Sequence, residues 1–346
     1  MSSKSLVWNS LFAAAICLAA FLLYRILHRY SIHDISASLH YIPFSHLCLA
    51  LTCAAASYFC LTGFDFLAIL SLGKSLPYRK VALASFISLS MGHNIGFAGL
   101  SSGAFRYRYY SRWGLTAEEV AKLVLFSGAT VGLGLITLAG FALLLNPQDA
   151  AGLLRWNSEW FRAAGGAIIT LPIAYVMLAA FLRRRFHLWR WTFELPDVSF
   201  AVLQVGMGAL NFLLVSACLH QLLSAFADIA FSRSVTAFVL GNSAVLATHV
   251  PGGLGVLETA VAYVAPDAAS IGALIAFRCV YFLLPLVLGT MLFIISEIVF
   301  RRHAGERKTT HEAIDEDAQR LSERPNRVEE SSSEDRSLFF ISRDNG

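Results

Sequence analysis

The sequence predicts an all-α polytopic membrane protein, with about six full transmembrane helices and two broken, re-entrant hairpins. Three observations predict it. Of the 346 residues, 56% are hydrophobic and only 14% charged, against about 25% charged in soluble domains. Eight apolar runs, near 6–26, 45–72, 81–104, 122–146, 164–182, 198–225, 234–264 and 270–299, are long enough to cross ~30 Å of hydrocarbon at 1.5 Å per residue. Two of the eight, 81–104 and 234–264, carry glycine-rich interruptions that a continuous span does not need.

The first run, inside MSSKSLVWNSLFAAAICLAAFLLYRIL, is longer than the ~7–15 residues of a signal-peptide core and has no small-residue cleavage pattern after it. It reads as a retained first span. Runs 45–72, 122–146, 164–182, 198–225 and 270–299 supply the other five. Run 81–104 contains most of MGHNIGFAGLSSGAF (91–105), and run 234–264 contains HVPGGLGVLE (249–258). Thr116, followed by Glu118 and Glu119, reads as a helix start. After Arg302 the chain turns to Ser, Glu, Asp and Arg, too polar to offset its ordering entropy. The domain expectation is therefore a membrane domain, 1–302, and a disordered cytoplasmic tail, 303–346.

Charge selects the topology. With all eight runs crossing and the N-terminus inside, Lys and Arg divide eleven inside to ten outside. With 81–104 and 234–264 each entering and leaving on one face, and Arg278 counted as intramembrane, the division is sixteen to five. That asymmetry is what the positive-inside rule expects, and it places both termini in the cytoplasm. The body, 1–302, holds 20 Lys/Arg and 12 Asp/Glu; this basic excess orients the chain, and no nucleic-acid partner is implied. The six cysteines, Cys17, Cys48, Cys53, Cys60, Cys218 and Cys279, all sit in apolar runs without metal-ligand spacing and read as small hydrophobes. No metal and no cofactor are expected.

Irregular backbone at membrane depth leaves polar groups unpaired, so it persists only where protein or a watery cavity surrounds it. A pair of Gly/Pro-interrupted segments in the two halves of a chain points to a transporter's midplane site. Close helix packing by small residues is the plainer alternative. In the second hairpin Gly252, Gly253 and Gly255 leave backbone N–H groups bare beside a half-helix start, which Pro251 fits. Glu258 follows about two turns later as an intramembrane carboxylate. Arg278, eight or so residues into the last run, is placed to pair with Glu258 or to hold a lipid phosphate by bidentate contact. Arg106, Arg108 and Arg112, interleaved with Tyr107, Tyr109, Tyr110 and Trp113, form a cationic aromatic patch at the cytoplasmic interface. Such a patch serves either as an interfacial belt or to capture anionic head groups. His93, Asn94, Asn242 and His249 are cavity-lining candidates.

The stretches GHNIGFAGLSSGAFRYRYYSRWGL (92–115) and HVPGGLGVLETA (249–260) resemble the N-terminal membrane region of the lysylphosphatidylglycerol synthases, the multiple peptide resistance factor family, and related stand-alone bacterial membrane proteins. The resemblance covers roughly residues 5–300. It implies a flippase-type domain of the bacterial cytoplasmic (inner) membrane that moves phospholipid, aminoacylated phosphatidylglycerol included, between leaflets. By motif position Arg106, Arg108, Gly252, Gly253, Gly255 and Glu258 carry over. Full-length members continue into further spans and an aminoacyltransferase domain that uses charged tRNA; here some 47 residues follow Val299. A stand-alone form working with a separate lipid synthase, or on a different lipid, is therefore expected.

Three readings follow. The leading one is a non-enzymatic phospholipid translocator, either monomeric or homo-oligomeric. The second is a lipid-modifying transferase with Glu258 and His249 as acid and base, although no Walker loop, dinucleotide fingerprint or HExxH is present. The third is a non-catalytic subunit that presents a synthase, with the acidic tail as its contact.

Overall fold

Thr116 ends the loop before the longest of the inner spans with a reciprocal cap. Its Oγ1 accepts from the Glu119 amide at 3.2 Å, and the Glu119 carboxylate accepts from the Thr116 amide at 2.9 Å. The helix therefore starts at Ala117, five residues ahead of its apolar run, because the cap pairs amides that would otherwise be orphaned. The computed structural model describes residues 40–95, 98–154, 157–181, 185–188, 191–194, 196–248, 255–268 and 270–300. In chain order these form α1 (Phe44–Ser71), α2 (Tyr78–Ile95), α3 (Ala98–Arg112), α4 (Ala117–Leu145), α5 (Pro147–Leu154) and α6 (Ser158–Phe181). There follow the strands β1 (Arg185–Leu188) and β2 (Trp191–Glu194), then α7 (Val198–Leu223), α8 (Phe231–Thr248), α9 (Val256–Val264) and α10 (Ile271–Phe300).

Among the described residues, α1, α4, α6, α7 and α10 are long and apolar enough to cross a membrane. Among the described residues the fold is the expected all-α one, with a single short antiparallel β1–β2 hairpin in the arginine-rich loop after α6. The predicted first span (6–26) and the tail (303–346) lie outside the described residues. The chain forms two compact units, residues 1–292 and 293–346. The second is described only over 293–300, and the site lies in the first.

Small residues set the helix spacing. A Cβ built on Gly134 of α4 would lie 2.6 Å from the Gly208 Cα of α7, and one on Gly165 of α6 would lie 2.8 Å from the Gly140 carbonyl oxygen of α4. Backbones this close are how membrane helices gain packing without a hydrophobic drive between them. Gln204 of α7 donates to Thr130 Oγ1 at 3.2 Å and accepts from the Tyr175 hydroxyl, tying α7 to α4 and α6.

The long runs alternate in direction. His46, early in α1, meets the Gln221 carbonyl late in α7 at 3.0 Å, while Lys74, just past α1, pairs with Glu119 at the start of α4 at 3.0 Å. One end of the bundle thus gathers 71–74 with 117–119. The other gathers 44–46, 145–146 and 220–224.

Each interrupted run holds two described helices packed on one another as a hairpin. In the first, α2 ends at Ile95 and α3 starts at Ala98; in the second, α8 ends at Thr248 and α9 starts at Val256. Their seams are glycine contacts: a Cβ on Gly92 of α2 would meet Ser102 Cβ of α3 at 2.7 Å, and one on Gly241 of α8 would meet Leu257 Cα of α9 at 3.1 Å. Their bases are closed by cations. Lys80 Nζ sits 5.7 Å from the Trp113 ring centroid, and the Arg233 guanidinium donates to the Val264 carbonyl that ends α9. The first hairpin starts from the Lys74/Glu119 end. The second starts from the opposite end, where Asn146 donates to Thr236 at 3.0 Å and His220 meets Ser234 at 3.1 Å.

Candidate functional site

Each hairpin is tied to the bundle by an arginine and a carboxylate. In the first, Arg106 of α3 reaches Asp65 of α1 through two parallel bonds, Nε to Oδ2 and Nη2 to Oδ1, both 2.8 Å. The third guanidinium edge donates from Nη1 to Ser102 Oγ at 2.9 Å. Asp65 also accepts from the Tyr110 hydroxyl and from Ser127 of α4, each at 3.0 Å. Four bonds to a side chain that is 0% exposed, two of them from an arginine at 5%, make this a sealed cluster. Its fork geometry is the kind that lets a buried pair recover its desolvation cost.

In the second hairpin, Gly255 takes a φ of +90° and precedes α9, a conformation glycine adopts without steric cost. Glu258 in the first turn then folds back. Its Oε2 accepts from the Gly255 amide at 2.9 Å, and its Oε1 accepts from Arg278 Nε of α10 at 2.7 Å. Arg278 is 7% exposed and Glu258 23%, so the carboxylate is the outward member of the pair. The guanidinium carbon lies 5.8 Å from the Phe282 ring. Immediately after Arg278, α10 winds a π turn over Cys279–Leu283 before resuming as α-helix. Such turns are frequent at functional positions.

That π turn joins the two hairpins. Tyr58 of α1 donates to the Tyr281 carbonyl at 3.2 Å, and Ser57 lies 2.7 Å from Asn211 Oδ1 of α7 and 3.0 Å from the Tyr281 hydroxyl. Rings continue the connection. Phe86 of α2 meets Tyr58 at 5.3 Å between centroids, Tyr58 meets Tyr281 at 5.5 Å, Tyr281 stacks on Phe277 at 5.6 Å, and Phe277 meets Phe238 of α8 at 6.4 Å. These separations lie in the range where aromatic pairs attract. Tyr58 and Ser57 sit near the middle of α1, so both hairpins reach mid-bundle depth.

The sequence candidates fall into three groups. Arg278 and Glu258 do pair, although Glu258 lies in the first turn of α9 and not two turns in, because the helix starts only at Val256. The arginine patch is corrected: Arg106 (4% exposed), Arg108 (6%), Tyr109 and Tyr110 (both 0%) are buried, leaving Tyr107 and Arg112 outward. The physical reason is Asp65, a buried counter-charge that draws α3 inward. Asn242 lies half-buried on α8. Gly252, Gly253, Pro251 and His249, and the side chains of His93 and Asn94, lie outside the described residues. Sequence reasoning missed Asp65, Ser102 and Ser127. The available signal was a lone carboxylate in the apolar run 45–72, the same signal that singled out Glu258.

Stacked apolar helices with charge pairs held between them define a multi-pass membrane protein. Over residues 12–292 the chain matches the Lysylphosphatidylglycerol synthase TM region, and it belongs to that family. It is 30% identical over 288 residues to Uncharacterized protein slr0712 of Synechocystis sp. (strain ATCC 27184 / PCC 6803 / Kazusa), covering 82% of this chain and 88% of that one. It is 28% identical over 257 residues to Inner membrane protein YbhN of Escherichia coli (strain K12), covering 70% and 77%. It is also 20% identical over 247 residues to Phosphatidylglycerol lysyltransferase of Staphylococcus haemolyticus (strain JCSC1435), covering 69% of this chain and 28% of that protein.

Proposed function

We propose that this chain is a non-enzymatic phospholipid translocator of the bacterial inner membrane. In this reading a head group crosses by way of the two hairpins while the acyl tails stay in hydrocarbon. The observation that carries the reading is the pair of broken hairpins, which start from opposite ends of the bundle and meet one line of rings at its middle. An arginine lies at the centre of each hairpin's attachment, and Arg278, behind the more exposed carboxylate, is the one that would receive a phosphate. The family and the inner-membrane relative support the membrane assignment, and the lysyltransferase relative makes aminoacylated phosphatidylglycerol a cargo to test. A separate synthase and a second copy of the chain are the partners to look for.

In the proposed topology both hairpins are re-entrant, the first from the cytoplasm and the second from outside, with both termini cytoplasmic. Single cysteines placed at Ser111 and Arg185, in a background without the native cysteines, are expected to label from the cytoplasmic face. Labelling of either from outside only overturns the topology.

The activity is tested by reconstituting the purified protein in vesicles with head-labelled phospholipids, lysylphosphatidylglycerol among them, and following leaflet exposure by quenching. Faster exchange with wild type, lost in Arg278→Ala and Glu258→Gln, supports translocation. No acceleration for any lipid removes the translocator reading in favour of a scaffold for a synthase. A new lipid mass in the vesicles would instead show a transferase.

A further inference from the structure

We infer that Glu258 is the resident occupant of the head-group site, an internal anion that a phosphate must displace from Arg278. This rests on the translocator reading above and concerns how its site is kept closed. The carboxylate occupies two donors that an incoming oxyanion would also use: Oε1 takes Arg278 Nε at 2.7 Å and Oε2 takes the Gly255 amide at 2.9 Å. A phosphate carries the same charge-assisted acceptor chemistry and suits the same guanidinium. The arginine is more than nine-tenths buried, while the glutamate in front of it is about a quarter exposed. The glutamate is therefore the more accessible member of the pair, and an anion that takes Arg278 Nε does so in its place.

The first hairpin supplies the contrast. Asp65 is 0% exposed and accepts four hydrogen bonds, two of them from the Arg106 fork. No anion reaches that arginine without opening α1, α3 and α4 together. Of the two pairs, the first fastens a hairpin and the second exchanges.

An internal competitor lowers the apparent affinity for its ligand by the fraction of time the site stands open. If Glu258 leaves the site open about a tenth of the time, removing its charge tightens phosphate binding about tenfold. The shared ligand chemistry is a phosphate oxyanion, with two sources to separate: a lipid head-group phosphodiester or free phosphate. The experiment is isothermal titration of the full-length protein, in discs of zwitterionic lipid, with two soluble probes, glycerophosphoglycerol and inorganic phosphate. Wild type, Glu258→Gln, Glu258→Ala and the double variant Glu258→Gln with Arg278→Ala are compared.

Glu258→Gln is expected to bind glycerophosphoglycerol about tenfold more tightly than wild type, and the double variant is expected to lose that gain. Glu258→Ala, which strands a buried arginine, is expected to melt below wild type and to recover with added probe, because a ligand of the native state stabilises it by mass action. The inference is overturned if folded Glu258→Gln binds no more tightly than wild type, or if the gain survives loss of Arg278. A gain confined to inorganic phosphate overturns the lipid head group as its source. A gain for the phosphodiester, with no lipid movement by wild type in vesicles, upholds the exchange and removes translocation alone.

Discussion

Tyr58 donates its hydroxyl to the carbonyl oxygen of Tyr281, 3.2 Å away in the π turn of α10. Two helices far apart in sequence are thereby joined at mid-bundle, next to the arginine that faces Glu258. Tyr58→Phe keeps the ring contacts with Phe86 and Tyr281 and removes this bond. Its expected cost is about 0.5–1.5 kcal/mol, read as a lower midpoint in detergent denaturation. An unchanged midpoint would show that the bond adds nothing to holding the turn.

The Asp65–Arg106 cluster predicts strong non-additivity. Asp65→Asn leaves a buried guanidinium without its counter-charge, and Arg106→Gln does the same to the carboxylate. Each is expected to cost about 3–5 kcal/mol. Asp65→Asn combined with Arg106→Gln removes both charges, so its loss should fall well short of the sum. A double variant as unstable as the two single losses added together contradicts the pairing as the source of the stability.

Glycines in the bundle predict unequal tolerance. Gly241→Ala places a methyl 3.1 Å from the Leu257 backbone and 2.7 Å from its Cδ1, and overpacking of this kind typically costs about 1–3 kcal/mol. A Cβ on Gly128 of α4 meets nothing within 4 Å among the described residues, so Gly128→Ala should stay within about 0.5 kcal/mol of wild type. Equal melting of the two variants would contradict the close α8–α9 seam.

Asp149, in the first turn of α5, predicts a pH dependence. Burial raises its carboxyl above the usual aspartate value of 3.8, and the positive charge of Arg233 opposes that shift in part. Its Oδ2 is buried without a hydrogen-bond partner among the described residues. The folded state thus holds this proton more tightly than the unfolded state does. The contribution is fully present below pH 3.8 and is lost as pH rises through the elevated folded value. Asp149→Asn should remove this component: the stability of variant minus wild type should grow as pH rises from 3.8 and then level off. A difference that stays flat across that window would show that the environment of Asp149 does not couple to folding.

Much of the fold was legible because the bilayer imposes length and apolarity on each span. The runs 45–72, 198–225 and 270–299 became Phe44–Ser71, Val198–Leu223 and Ile271–Phe300 with shifts of only one or two residues. Each interrupted run yields two separate described helices, α2 with α3 and α8 with α9. The Glu258–Arg278 pair could be anticipated because its members lie 20 residues apart on consecutive segments. Asp65 and Arg106 are 41 residues apart across an intervening helix, and one sequence does not say which faces meet. The tyrosine–arginine stretch misled for the same reason: its composition suits an interface, and only the hidden partner on α1 turns it inward. The π turn left no mark, because nothing in CVYFL differs from ordinary helix.

The crossing of Gly134 and Gly208 gives the molecule a fixed axle. Where main chain rests on main chain, no rotamer is available to yield, so α4 and α7 hold their separation whatever the side chains around them do. The hairpin bases instead rest on the long side chains of Lys80 and Arg233, which have rotamers to yield. Under the translocation proposed above, working motion belongs to the inserted pieces turning against a static pair. A bridge engineered across that pair should leave the proposed lipid exchange intact, while one across either hairpin base should stop it.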